Sequence, residues 1–144
     1  MSQTDRRFHR PTGASATLGR TGFPTIVSAT GGRLDIKTGV EEAGFNPLDL
    51  LYASLSACLA MSARSAAVEL GLRDRLSEIT VDVRGVKAPD DPARVTHFEI
   101  DMHLTGDLDA QTKQAIAHRA EESLCTVSNT LKGTASFGLT IREG

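Results

Sequence analysis

At 144 residues and 40% hydrophobic composition, the chain can bury one well-packed core and is short for two. Its net charge is −2, and its basic residues are scattered apart from Arg6, Arg7 and Arg10, which gives no basic face for nucleic acid. The longest uncharged apolar stretch, Leu50 to Ala63, is shorter than the roughly 20 residues of a membrane span, and Arg64 ends it, so no membrane partner is expected.

The first residues, MSQTDRRFHRPTGAS, hold arginines but no apolar segment of the secretory kind, and a cytoplasmic location is expected. Residues 1–22 are polar, lack a sustained period and contain Pro11, Gly13, Gly19 and Gly22. They read as a flexible N-terminal arm or one loose strand, with 23–144 as a single domain. TIVSAT-GG-RLDIKT follows, two β-prone runs around Gly31-Gly32, where a pair of glycines can take the positive φ of a tight hairpin turn.

GVEEAGF reads as a loop. Asn46 and Pro47 then open a helix, with Asn46 at the cap, Pro47 at the first helical position and Asp49 where a capping box requires an acidic residue. Gly71 supplies the stop. This helix is small or apolar around nearly its whole circumference as far as Ala63, so it must be covered on most sides. One chain of this length can hardly enclose it, which makes a homodimer the expected assembly.

EITVDVRG and THFEIDMHL alternate in the manner of half-buried strands, with Ile79, Val81 and Val83 on one face, and Phe98, Ile100, Met102 and Leu104 on another. KAPDDPAR joins them. Asp109 caps a second helix with the stripe Ile116, Ala117, Ala120 and Leu124, ending near Cys125. TASFGLTI alternates Phe137, Leu139 and Ile141 as a last strand. The order is ββ-α-ββ-α-β, an α+β fold.

Among residues that carry chemistry, His97, Glu99, Asp101 and His103 share one strand face, where a metal patch is conceivable. Plain amphipathic alternation accounts for them as a solvated face. The chain has no phosphate-binding glycine loop, dinucleotide fingerprint, H-E-x-x-H or G-x-S-x-G. Its two cysteines, Cys58 and Cys125, form no C-x-x-C pair and no disulfide framework. A cysteine within an apolar helix is commonly an inert, buried small side chain. Reactivity would require a thiolate, and Cys58 lies too far inside its helix to draw much on the macrodipole. Arg64, six positions on, points about 120° away. Arg33 beside the Gly-Gly turn, or Arg20 before it, is better placed.

GFNPLDLLYASLSACLAMSARSAAVELG after a short hairpin, with SLCTVSNTLKG later, resembles the OsmC/Ohr family of thiol-dependent peroxidases over residues from about 24 to 142. The resemblance implies an OsmC-like fold in an intertwined homodimer, its long central helix packed among antiparallel sheets. It implies that Cys58 attacks organic hydroperoxides and that Cys125 resolves the product as a disulfide. A dithiol reductant, thioredoxin-like or lipoylated, would reduce that bond, and no cofactor or metal is implied. Peroxide-reducing members carry a Glu directly after the Pro of the N-P motif, where it orients a catalytic arginine; this chain has Leu48 there and Thr126 in place of a Pro after the second cysteine. Arg33 is the expected arginine. Asp49 is either a helix cap or the residue that holds this arginine. The rival reading is a non-catalytic OsmC-like dimer that binds a small apolar ligand and keeps its cysteines as structure.

Overall fold

The computed structural model describes residues 9–143. In chain order these form β1 (Ala14–Thr17), β2 (Thr25–Ser28), β3 (Arg33–Asp35), α1 (Pro47–Glu69), a 3-10 turn (Arg73–Arg75), β4 (Leu76–Lys87), β5 (Val95–Gly106), α2 (Ala110–Arg119), a π-helical turn (Ala120–Leu124) and α3 (Thr126–Lys132). The chain divides into two compact units after Leu50.

In the first unit, β1, β2 and β3 make an antiparallel sheet in that order. Gly31 takes a φ of 93° in the β2–β3 turn, a value L side chains rarely adopt, and its N–H donates to the Ser28 carbonyl at 2.9 Å. The Gly-Gly hairpin therefore forms where expected, with Ile26 opposite Leu34 and Val27 opposite Arg33. Of the arm expected over 1–22, residues 1–8 lie outside the described residues, and Ala14–Thr17 pair with β2.

α1 begins in a reciprocal capping box. The Asp49 N–H donates to Asn46 Oδ1 at 2.8 Å, and the Asn46 N–H donates to Asp49 Oδ2 at 3.0 Å. It ends with Gly71 at a φ of 71°, the Gly71 N–H on the Val68 carbonyl and the Leu72 N–H on that of Ala67, a Schellman closure.

In the second unit, β4 and β5 are a long hairpin whose register sets Ile79 opposite Leu104, Val81 opposite Met102 and Val83 opposite Ile100. That apolar face packs on α1 in two clusters. One joins Ala63, Ala66 and Ala67 to Leu104, Ile116 and Ala120; the other centres on Leu55, Leu59 and Cys125. Fully burying a leucine contributes about 1.5–3 kcal/mol, so Leu55 and Leu59 anchor the second cluster. Gly85 lets the Tyr52 ring pass under β4: a Cβ there would stand 2.7 Å from one ring carbon. Tyr52 in turn meets Phe98 edge-on, with centroids 6.2 Å apart.

The opposite face of α1 is open. Ser54, Ala57, Arg64 and Ser65 are exposed, as are Met61 and Val68 at 61% and 53%. The helix reaches a mean hydropathy of 1.2 over an 18-residue window, about a third of which is buried in the fold.

The order observed departs from ββ-α-ββ-α-β in three places, while the α+β class stands. β1 adds a strand at the start. The second helix stops at Arg119, and a π turn and α3 follow it. The strand expected over TASFGLTI does not form: residues 134–143 hold no regular structure, with Phe137, Leu139 and Ile141 at 98%, 86% and 81% exposure. A strand is made by a partner edge as much as by its own alternation, and among the described residues no strand edge pairs with this one.

Candidate functional site

Cys58 lies midway along α1 on the side that faces the sheet, half-buried among Leu55, Leu59 and the inward residues of β4 and β5. Cys125 is fully buried in the same cluster. The two thiols are free, and Cys58 packs against Cys125 in this cluster. Residues 67 positions apart thus meet because the sheet spans both elements.

Cys125 is held by the chain on either side of it. It is the N-cap of α3, and its sulfur accepts the Ser128 N–H at 3.3 Å. The buried Ser128 hydroxyl donates to the Glu121 carbonyl at 3.2 Å and to Glu121 Oε1 at 3.3 Å. Lys132 Nζ closes on Glu121 Oε1 at 2.9 Å, and Asn129 Nδ2 donates to the Ser123 carbonyl at 3.0 Å. These bonds tie the π turn to α3 and leave little play in the position of the sulfur.

The surroundings pull the two acidities apart. Burial pushes the Cys58 thiol up, but the Val127 N–H, the Cys125 S–H, the Ser62 hydroxyl and the Thr126 N–H together outweigh it, and its pKa falls below the ordinary 9.0. Burial pushes Cys125 up as well, and acting as donor to Cys58 adds to the rise, which the Ser128 N–H only partly offsets. None of the strongest influences on Cys58 is a cation.

Leu55, Phe98 and Ile100, which pack about Cys125, also line an open cavity of about 500 Å³ whose rim carries Ser128, Leu131 and Lys132. The lining joins apolar Leu55, Phe98, Ile100 and Leu131 to polar His97, Glu121, Ser128 and Lys132, a mixture found in small-molecule pockets.

Arg33 stands exposed at the start of β3, in the first unit. Asp49 is exposed too, its carboxylate engaged by the cap of α1. Arg64 lies on the open face of α1. On the outer face of the hairpin, Arg84 pairs with Glu99 at 3.6 Å and with Asp101 at 3.7 Å. His97 and His103 are exposed beside them, and no group of three or more metal-ligating side chains forms among the described residues.

Sequence reasoning missed α3 and the donors it brings to Cys58, because cysteine is not a familiar N-cap. It also passed over Ser62. That signal was available: a serine four positions after a cysteine shares its helix face.

No curated protein matches the chain. Among solved structures it is similar to the OsmC-like protein from Mycoplasma pneumoniae, at 16% identity and a TM-score of 0.71, covering 86% of this chain and 89% of that one. It is also similar to an organic hydroperoxide resistance protein from Legionella pneumophila, at 22% identity and a TM-score of 0.65 over 86% and 90% of the two chains. A third likeness is to the organic hydroperoxide resistance protein of Bacillus subtilis, at 26% identity and a TM-score of 0.61 over 86% and 92%. Residues 39–140 match the family described as OsmC-like protein, a span that includes α1, the β4–β5 hairpin and both cysteines, and the chain belongs to that family.

Proposed function

We propose that the protein is a homodimeric, thiol-dependent reductase of organic hydroperoxides. The observation that carries this reading is that two free cysteines, Cys58 and Cys125, pack together in one buried cluster, where the surroundings favour the thiolate of Cys58 and disfavour that of Cys125. Relatives of the same fold named for organic hydroperoxide resistance support it.

The Cys58 thiolate attacks the terminal oxygen of the O–O bond. That bond breaks, the sulfur becomes a sulfenic acid, and the departing alkoxide takes a proton to leave as alcohol. The Cys125 thiol, already against Cys58, loses its proton and attacks the sulfenic sulfur, forming the disulfide and releasing water. A dithiol reductant of the thioredoxin-like or lipoylated kind then exchanges into the disulfide, is oxidised to its own disulfide and restores both thiols. The apolar cavity beside the pair gives an organic tail a place to bury, which favours alkyl hydroperoxides over hydrogen peroxide. Arg33 is the arginine proposed to activate Cys58, the open face of α1 is the surface proposed for the second copy, and the enzyme is taken to work in the cytoplasm.

Consumption of cumene hydroperoxide by stopped flow tests the reading. The wild type reacts far faster than free cysteine, and Cys58→Ser abolishes the excess; equal rates in both would refute it.

A second reading is a non-catalytic dimer that holds a small apolar ligand. Leu48 in place of the family's Glu favours it, together with the capping box that already occupies the Asp49 carboxylate. Peroxide-insensitive thiols with tight binding of an apolar dye in the cavity would support it.

A further inference from the structure

Taking Cys125 as the resolving thiol, which rests on the reading above, we propose that Glu121 is its positioning residue: its carboxylate and carbonyl anchor the short helix capped by Cys125, and so favour disulfide closure over further oxidation of the Cys58 sulfenic acid.

α3 has seven residues, about two turns. Helices shorter than about 12 residues are marginal on their own, so its place is set by what grips it. Cys125 is its N-cap and is tied to it, since the sulfur accepts the Ser128 N–H at 3.3 Å. Of the side-chain bonds from α3 to the π turn, that of Asn129 goes to the Ser123 carbonyl and the others all end on Glu121. The Ser128 hydroxyl donates to the Glu121 carbonyl at 3.2 Å and to its Oε1 at 3.3 Å; Lys132 Nζ donates to the same two atoms at 3.1 and 2.9 Å. Ser128 is 5% exposed, so its hydroxyl has to be satisfied inside the protein, and both of its acceptors belong to Glu121. The neighbouring charges behave differently. Glu122 lies 3.5 Å from His118 on its own helix, and Arg119 turns to Glu69 of α1 at 3.2 Å, so neither touches α3.

The anchor matters once Cys58 has become a sulfenic acid, because two reactions then compete. In one, the Cys125 sulfur attacks: the S–S bond forms, the S–O bond breaks, and the Cys125 proton leaves with the hydroxide as water. In the other, a second hydroperoxide transfers an oxygen atom to Cys58, leaving a sulfinic acid and an alcohol. A disulfide requires Cβ atoms about 3.5–4.5 Å apart, whereas a freely diffusing peroxide requires nothing of Cys125. A misplacement of about 1 Å can cost on the order of 100-fold in a reaction that depends on alignment. Holding α3 in place therefore acts on the first reaction and not on the second.

The test compares wild type, Glu121→Ala, Glu121→Gln and Arg119→Ala as full-length protein. Each is equilibrated with mixtures of reduced and oxidised glutathione, and non-reducing peptide mass spectrometry gives the effective concentration of the Cys58–Cys125 pair. In parallel, the share of Cys58 that becomes sulfinic is measured as cumene hydroperoxide is added. Glu121→Ala lowers the effective concentration and raises the sulfinic share, each about three- to tenfold, the scale of a charged hydrogen bond partly open to water. Glu121→Gln keeps an oxygen for both donors and recovers most of the loss. Arg119→Ala, which breaks the neighbouring ion pair, stays near wild type. No change in Glu121→Ala, or an equal loss in Glu121→Gln or in Arg119→Ala, would overturn the proposal. A wild type inert to hydroperoxide whose glutathione equilibrium still shifts in Glu121→Ala alone would refute the enzyme reading and uphold the role of Glu121.

Discussion

Cys58 and Cys125 pack in one cluster as free thiols, and their surroundings move them in opposite directions. Burial raises the pKa of both, but at Cys58 the Val127 N–H and the other donors outweigh it, whereas at Cys125 the neighbouring Cys58 adds to the rise. The sign fixes an order. As pH rises, Cys58 ionises below the ordinary 9.0 and Cys125 above it. Labelling of Cys58 therefore reaches its plateau at lower pH, and Cys125 begins to label only in more alkaline solution. Because Cys125 is also buried, the informative quantity is each midpoint rather than each rate. Coincident midpoints in a site-resolved titration would show that the donor arrangement does not persist in solution.

One equivalent of hydroperoxide should convert both thiols to an intramolecular Cys58–Cys125 disulfide. The two cysteines already pack in one cluster, and Cys125 is held by Ser128 and the Glu121–Lys132 contacts. In Cys125→Ser the sulfenic acid has no resolving partner and proceeds to the sulfinic state as peroxide is added. Non-reducing peptide maps distinguish the two products. Both thiols still free after one equivalent, in a protein that has consumed it, would exclude Cys125 as the resolving group.

Asn46 and Asp49 bind each other across the first turn of α1, so their removal should cost stability. Asn46→Ala is expected to lose about 1 kcal/mol, seen as a fall of about 2–4 °C in Tm for a chain of this size. Asp49→Asn separates the two roles assigned to this carboxylate. A small loss of Tm with hydroperoxide turnover intact marks a cap alone, whereas a loss of turnover at unchanged Tm marks a residue that holds the catalytic arginine.

Where a feature depends on neighbours in the chain, it was legible in the sequence. The Gly31-Gly32 turn, the Asn46–Asp49 box, the Gly71 stop and the alternation of β4 and β5 are all set by residues within a few positions of one another. Features set by distant contacts were not. α3 exists as a cap built on Cys125 and braced by Glu121, Ser128 and Lys132, and no propensity announces a cysteine cap. The motifs singled out both cysteines, but the donors that set their acidities come from α3 and Ser62 and required the fold. The C-terminal alternation was read correctly as a pattern and wrongly as a formed strand, since the pattern cannot supply an edge.

Gly85 and Tyr52 make a second pair that can be tested apart from the chemistry. A methyl group on residue 85 would stand 2.7 and 2.8 Å from two ring carbons of Tyr52, well inside van der Waals contact. Gly85→Ala is therefore expected to destabilise by about 1–3 kcal/mol, the usual cost of overpacking. In a Tyr52→Leu background the same substitution should cost much less, because the ring it strikes is gone. Additive losses in chemical denaturation would show that the ring and the strand do not meet.

The open face of α1 and the C-terminal alternation make the assembly testable. Met61 and Val68 expose apolar surface on a helix whose other side is packed, and Phe137, Leu139 and Ile141 form a strand pattern that pairs with no sheet edge among the described residues. A second copy would cover both: it brings an identical helix face, and its sheets carry unpaired edges. Met61→Glu places a charge in the middle of that helix face without touching the buried side. It should shift sedimentation from dimer to monomer while far-ultraviolet circular dichroism keeps most of its helical signal. Removal of residues 134–144 should weaken the dimer too, and the Tm of the wild type should rise with protein concentration, as it does when folding is linked to association. A wild type that sediments as a monomer, with a Tm independent of concentration, would remove the second copy from the account and leave Phe137 and Met61 to some other partner.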